Sequence, residues 1–397
     1  MAAKNTAELF TCSLGVVSSV RTPASFSIED YESIVTEVLA RYEALADSAS
    51  TTTGNPQATF AGCVIRFAGH DFMDFREDDT GVTSGGSDGC VNFVDPDNKG
   101  LAECLSAFAV PDLYAQVCGK VSLADFMIIL AEAIMGRTST LYNAEDYYGV
   151  GTLARKFRDN FKAGRATSES CNDKTGLMPN PEEGCAGLSN VFVDHIYRDT
   201  GMPWTMTAAI SGAHTIGSAK QANSGYDGFW SEPDQQGIFN NDYYKSLLLK
   251  GWSPQLAVGG DPLKNQWTRV DAGLVAGENQ FMLNTDLCML FEHSRYGECM
   301  RATGNDGKFC KKELVKAGPL LAQEADGCCA WHNNRVLYRQ GVLDKGEPAD
   351  YCGQEITQPN RKINRGQCCK HDPARFDKNK TTKVNDCDKP ALPQGLA

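Results

Sequence analysis

Two histidines stand out in this chain because their neighbours suit acid–base and metal chemistry. Arg66 and His70, in Ile65-Arg66-Phe67-Ala68-Gly69-His70-Asp71, are four residues apart, a step that brings both side chains onto one face of a helix. A neutral imidazole can carry a proton between two oxygens of one substrate. A guanidinium beside it stabilises charge on a departing oxygen without reorganising. Taken alone, that spacing also describes an ordinary exposed helix face. Further along, Ala208-Ala209-Ile210-Ser211-Gly212-Ala213-His214-Thr215-Ile216-Gly217 surrounds His214 with small residues. Such residues let a backbone approach a flat group closely, and the plainer reading is a histidine packed inside a helix. Leu283-Asn284-Thr285-Asp286 ends on a carboxylate that suits a helix cap or an acceptor for a ring N–H.

Together these stretches resemble the plant, fungal and bacterial haem peroxidase superfamily over most of residues 1–300. The resemblance also takes in GGSDG at 85–89 and Asp95-Pro96-Asp97-Asn98-Lys99-Gly100-Leu101. It implies a mainly α haem peroxidase fold, about ten helices in two lobes sandwiching haem b. His214 is then the axial iron ligand, Asp286 the acceptor for its other ring nitrogen, and Arg66 and His70 the distal pair. Asn98 takes the place of the family's Asn that accepts from the distal histidine and fixes its tautomer. In Asn223-Ser224-Gly225-Tyr226-Asp227-Gly228-Phe229-Trp230, the tryptophan follows His214 by sixteen residues. That narrows the resemblance to class I members, cytochrome c peroxidases among them, where the ring packs the proximal pocket or carries a radical.

Some positions depart from the pattern. Gly69 stands where a Trp or Phe normally covers the haem, which implies room above the iron. Asn223 replaces the family's ascorbate-binding Arg, and Lys220 replaces an acidic manganese ligand. Asp71, Gly86 and Asp88 match the distal calcium segment of secreted branches, but Cys90 occupies the hydroxyl position and is a poor ligand for a hard cation. A disulfide at Cys90 is the alternative way to fix that loop. Thr215 and Asn240 match a weaker proximal cation position.

The elements that must position these residues are mostly helical. Ser27 caps an amphipathic helix with apolar residues at Ile28, Tyr31, Ile34, Val38, Tyr42 and Leu45. A Ser/Thr/Gly/Asn cluster at 48–55 is expected to end it. Further helices are expected over 60–72, 123–135, 188–197, 206–216, 242–249 and 283–292, with few strands. The domain reading is a peroxidase domain at 1–320, with a distal lobe over 20–150 and a proximal lobe over 150–320. A cysteine-rich extension follows at 321–397, where Cys328, Cys329, Cys352, Cys368, Cys369 and Cys387 lie among polar residues too sparse in apolar periodicity to build a core.

The chain has 397 residues, 42% hydrophobic, and a formal charge of -12, which argues against nucleic-acid binding. Its apolar runs fall short of a membrane span, and six histidines form no H-E-x-x-H or compact zinc cluster. Sixteen cysteines without recurrent C-x-x-C spacing favour disulfides and an extracellular or secretory-pathway location. The first twenty residues read as a poor signal peptide, so a cytoplasmic or organellar location is the alternative. The expected function is reduction of hydrogen peroxide through an oxyferryl intermediate, with oxidation of an unidentified one-electron donor, a small phenol or a protein. The competing reading is a noncatalytic peroxidase-fold structural or assembly protein, with the extension as a protein-binding tail.

Overall fold

The computed structural model describes residues 3–13, 20–47, 55–78, 80–171 and 175–249, with shorter runs at 252–255, 258–261, 263–264, 266–269, 279–289, 291–292 and 316–317. The extension at 321–397, with its six cysteines, lies outside the described residues. Those described fall into two compact units. The first is drawn from Met1–Met178, Ile216–Ser218 and Gln236–Asn240, and the second from Pro179–Thr215, Ala219–Gln235 and Asn241–Ala397.

In the first unit a short α1, Thr6–Leu9, precedes α2, Ile28–Glu43. Ser27 and Asp30 form a reciprocal capping box at the start of α2. Its apolar stripe, Tyr31, Ile34, Val35, Val38 and Tyr42, is buried. The next helix, α3, spans Pro56–Phe72. It begins four residues before the start expected at 60, because Asn55 caps it and Pro56 fills the first position, where no amide hydrogen is needed. A two-stranded ribbon, β1 Arg76–Glu77 with β2 Thr83–Ser84, leads to α4, Leu101–Ala107, and α5, Val110–Val117. Then comes α6, Leu123–Thr138, the centre of the unit, packed on both α2 and α3. Phe126, Met127, Ile129, Leu130 and Ile134 along it are at most 1% exposed, each contributing about 1.5–3 kcal/mol by burial. Helix α7, Leu153–Asn160, closes against α6.

The second unit opens with α8, Cys185–Leu188, continuing as a wider π-turn over Ser189–Ile196. Helix α9, Pro203–Ser211, starts with proline at its first position and then tightens into a 3-10 turn, Gly212–Thr215. His214 therefore sits on that turn and not within the α-helix expected over 206–216. A single turn, α10 Gln221–Ser224, and α11, Asp242–Leu249, follow. The expected helix over 283–292 is only α12, Asn284–Cys288. It is preceded by a small antiparallel sheet, β3 Trp252–Gln255, β4 Gln266–Arg269 and β5 Phe281–Met282, that the sequence reading did not anticipate.

All eight cysteines among the described residues are paired. Cys12–Cys118, Cys63–Cys104 and Cys90–Cys171 lie in the first unit, and Cys185–Cys288 lies in the second.

Candidate active site

The first cluster forms where α3 meets the loop before α4. His70, in the last turn of α3, has its Nδ1 2.7 Å from Asn98 Oδ1. The amide is fixed from its other end, since Asn98 Nδ2 donates to the Asn92 carbonyl at 2.8 Å. With Nδ2 committed as donor, Oδ1 must accept, so His70 carries its hydrogen on Nδ1 and its lone pair on Nε2. Asn98 belongs to a 3-10 turn, Pro96–Asn98, capped by Asp95. Arg66 stands one turn before His70 and donates to the Lys99 carbonyl at 3.0 Å and the Asp97 carbonyl at 2.6 Å, so it clamps the loop that carries Asn98. Burial pushes its guanidinium down to about 10, which leaves it a cation at neutral pH with donors to spare.

The second cluster gathers on Asp286. His214 Nδ1 donates to Asp286 Oδ1 at 3.0 Å, so its lone pair is also on Nε2, which bonds to no described residue. The His214 side chain keeps 37% exposure while Asp286 keeps 2%. Trp230 stacks on the imidazole, with centroids 4.2 Å apart and planes 17° from parallel, and its Nε1 donates to Asp286 Oδ2 at 2.9 Å. Asp286 is the third residue of α12, where it also accepts from the Leu283 amide at 2.7 Å, half of a capping box. The carboxylate is thus a cap and a ring acceptor at once. Asn284, which opens the same helix, is fixed by Trp267 Nε1 at 2.7 Å, and that is how the small sheet positions Asp286. Sequence reasoning missed Tyr243: its hydroxyl donates to Asp286 Oδ1 at 2.8 Å from a wholly buried position on α11. A tyrosine on a buried helix face was the visible signal, but its partner lies 43 residues away.

The glycines around His214 serve protein packing. A Cβ on Gly212 would strike the Tyr244 hydroxyl, and one on Gly217 would come within 3.0 Å of the Gly62 backbone in α3. Gly69 is different, because a Cβ built there meets nothing within 4 Å, so that face of α3 is open beside His70.

Asp71, Gly86 and Asp88 come together, but around backbone amides. Asp71 accepts from Gly89 N at 3.0 Å and Cys90 N at 2.8 Å, Asp88 Oδ1 also accepts from Cys90 N at 3.1 Å, and Gly86 N donates to Asp74 at 2.7 Å. Burial and the neighbouring Asp88 and Asp74 carboxylates push the Asp71 carboxyl up. Cys90 is committed to Cys171. Among the described residues no group of three or more His, Cys, Asp or Glu side chains is arranged to hold a metal ion.

The two sites belong to a class of proteins that the comparisons define. The peroxidase family's sequence profile matches residues 46–306, and the chain belongs to the peroxidase family. It is 34% identical over 131 residues to a protein of Pyricularia oryzae named putative heme-binding peroxidase, covering 32% of this chain and 40% of that one. It is 26% identical over 204 residues to L-ascorbate peroxidase 5, peroxisomal, of Arabidopsis thaliana, covering 49% and 60%. Against cytochrome c peroxidase, mitochondrial, of Candida albicans the identity is 25% over 325 residues, covering 79% and 76%. For the first two, the chain spans about half the relative's length. Relatives with ascorbate and cytochrome c peroxidase names make the chain class I-like within the superfamily.

Proposed function

We propose that the protein is a haem peroxidase that reduces hydrogen peroxide and oxidises a one-electron donor, with haem b held by His214. The observation that carries the reading is that each of two histidines has Nδ1 within hydrogen-bond distance of a side-chain oxygen, 2.7 Å from Asn98 Oδ1 for His70 and 3.0 Å from Asp286 Oδ1 for His214, an arrangement that assigns the lone pair of each ring to Nε2. One such nitrogen suits a metal bond and the other suits proton transfer. The residues fit the group: His214 is oriented by a carboxylate, its Nε2 bonds to no described residue, and the relative from Pyricularia oryzae is named heme-binding. When bound, the iron supplies the electrons that cleave the O–O bond.

The chain's own residues do the rest. His70 Nε2 takes the proton from one peroxide oxygen and returns it to the departing one, while Asn98 keeps the ring from turning. Arg66 stabilises the charge that builds on the departing oxygen. Asp286 pulls on His214 Nδ1–H and so raises the electron donation available at Nε2. Trp230 is the aromatic group we assign to electron transfer, because its N–H faces the Asp286 carboxylate, which stabilises positive charge on the indole. Haem b is the only cofactor in this reading; Asp71 and Asp88 fix their loop. The donor belongs to the class of small phenols or redox proteins. The four disulfides support folding in an oxidising compartment.

Purified protein loaded with haem is expected to show a Soret band that shifts within milliseconds of adding peroxide. His214→Ala should lose haem. His70→Leu should keep it and slow peroxide cleavage by about 10²–10⁴-fold. A band unmoved by peroxide would assign the chain to the noncatalytic reading, and no band at all would remove haem from the account.

A further inference from the structure

Asp286 receives four hydrogen bonds, two on each oxygen. Oδ2 takes Trp230 Nε1 and the Leu283 amide, and Oδ1 takes His214 Nδ1 at 3.0 Å and the Tyr243 hydroxyl at 2.8 Å. A carboxylate offers about four lone-pair sites, so this one is full. The imidazole therefore does not have its oxygen to itself. A phenol that draws charge from Oδ1 leaves less for the N–H beside it, and the weaker that pull, the less imidazolate-like the ring becomes.

Tyr243 has no freedom to leave. It is 0% exposed, its ring stands edge-on to His214 with centroids 5.7 Å apart at 81°, and Tyr244 packs against it at 5.0 Å. The Tyr244 hydroxyl in turn donates to the Ala208 carbonyl at 2.6 Å, which ties α11 to α9 next to His214. The hydroxyl is therefore held as a donor to Asp286 Oδ1 by the packing around it.

We propose that Tyr243 is a positioning residue that sets the donor strength of His214 by sharing Asp286 Oδ1, holding the imidazole less anionic than Asp286 alone would make it. The proposal rests on the assignment of His214 as iron ligand. A less anionic ligand favours ferrous over ferric iron, so Tyr243 raises the reduction potential of the bound haem.

The test uses the haem-loaded full chain and reads the ferric/ferrous potential by spectroelectrochemistry, with the iron–histidine stretching band as a second signature. Tyr243→Phe keeps the ring and deletes the donor. It should move the reduction equilibrium toward ferric iron on the order of tenfold, about 59 mV for one electron, and raise the stretching frequency. A fluorinated tyrosine incorporated at position 243, a stronger donor of nearly the same shape, should move both readouts the opposite way, a pairing that loosened packing does not produce. If Tyr243→Phe loses haem, the fluorinated variant alone decides by the sign of its shift. Potentials that stay within about twofold of wild type, or that move the same way in both variants, overturn the inference. Failure of the wild-type chain to bind haem instead overturns the His214 assignment, and the two failures are told apart by the Soret band.

Discussion

His70 and His214 are held in one tautomer by different acceptors, and the difference suits their proposed tasks. His70 faces a neutral amide oxygen, which orients the ring without trapping a proton that must be handed on. His214 faces a carboxylate, which feeds electron density into the ring and suits a metal bond. The sequence singled out these residues because the chemistry restricts which side chains suit the work, and the structure brings each histidine to the side-chain acceptor expected of it, Asn98 for His70 and Asp286 for His214. Tyr243 was not singled out, since its role depends on an oxygen supplied from a distant helix. The loop at Asp71 marks the opposite case, in which a familiar spacing admits two physical solutions. Both Asp71 oxygens already accept amide hydrogens, and the residue at the hydroxyl position forms a disulfide. A calcium chelator such as EGTA should therefore leave the melting temperature unmoved to within about 1 °C, on a scale where 1 kcal/mol is worth about 2–4 °C. A fall of several degrees that calcium reverses would instead give Asp71, Gly86 and Asp88 a cation.

Helices were legible where capping and periodicity agreed, and less so where they did not. Ser27 with Asp30 fixed the start of α2. The turn-forming composition of 48–55 hid the fact that Asn55 and Pro56 begin α3. The three-stranded sheet was invisible because its strands are two to four residues long, β3 contains a proline, and the pairing runs between distant segments. Glycines within the two histidine motifs look alike on paper but differ in the fold. Gly69 lies inside α3 with open space where its side chain would be, so Gly69→Ala should stabilise the protein by about 0.5–1 kcal/mol through helix propensity alone. Gly217 has φ +80 and faces the Gly62 backbone at 3.0 Å. Gly217→Ala should destabilise it by about 1–3 kcal/mol, from the left-handed backbone and the forced separation of α3. Denaturant melts of the two variants check both signs, and a loss of stability in Gly69→Ala would show that the open face is filled.

At the scale of the whole molecule, the disulfides decide how the chain can exist. Three of them close separations of 106, 41 and 81 residues in the first unit, and the fourth closes 103 in the second. Each bridge removes denatured-state freedom, and losing one typically costs about 2–5 kcal/mol. Domains of this kind have net stabilities of about 5–15 kcal/mol, so the loss of all four is comparable to the whole margin. The composition signalled this, because sixteen cysteines in an acidic chain free of zinc-type spacing are hard to keep as thiols, but which cysteine meets which depends on the packing of helices far apart in sequence. Reduction with a phosphine under otherwise native conditions at 25 °C is therefore expected to abolish near-UV circular dichroism and release haem, with all eight described thiols becoming titratable. If those thiols titrate while the near-UV spectrum and the Soret band persist, the bridges are dispensable. The chain could then mature in a reducing compartment, and the argument for an oxidising one would fall.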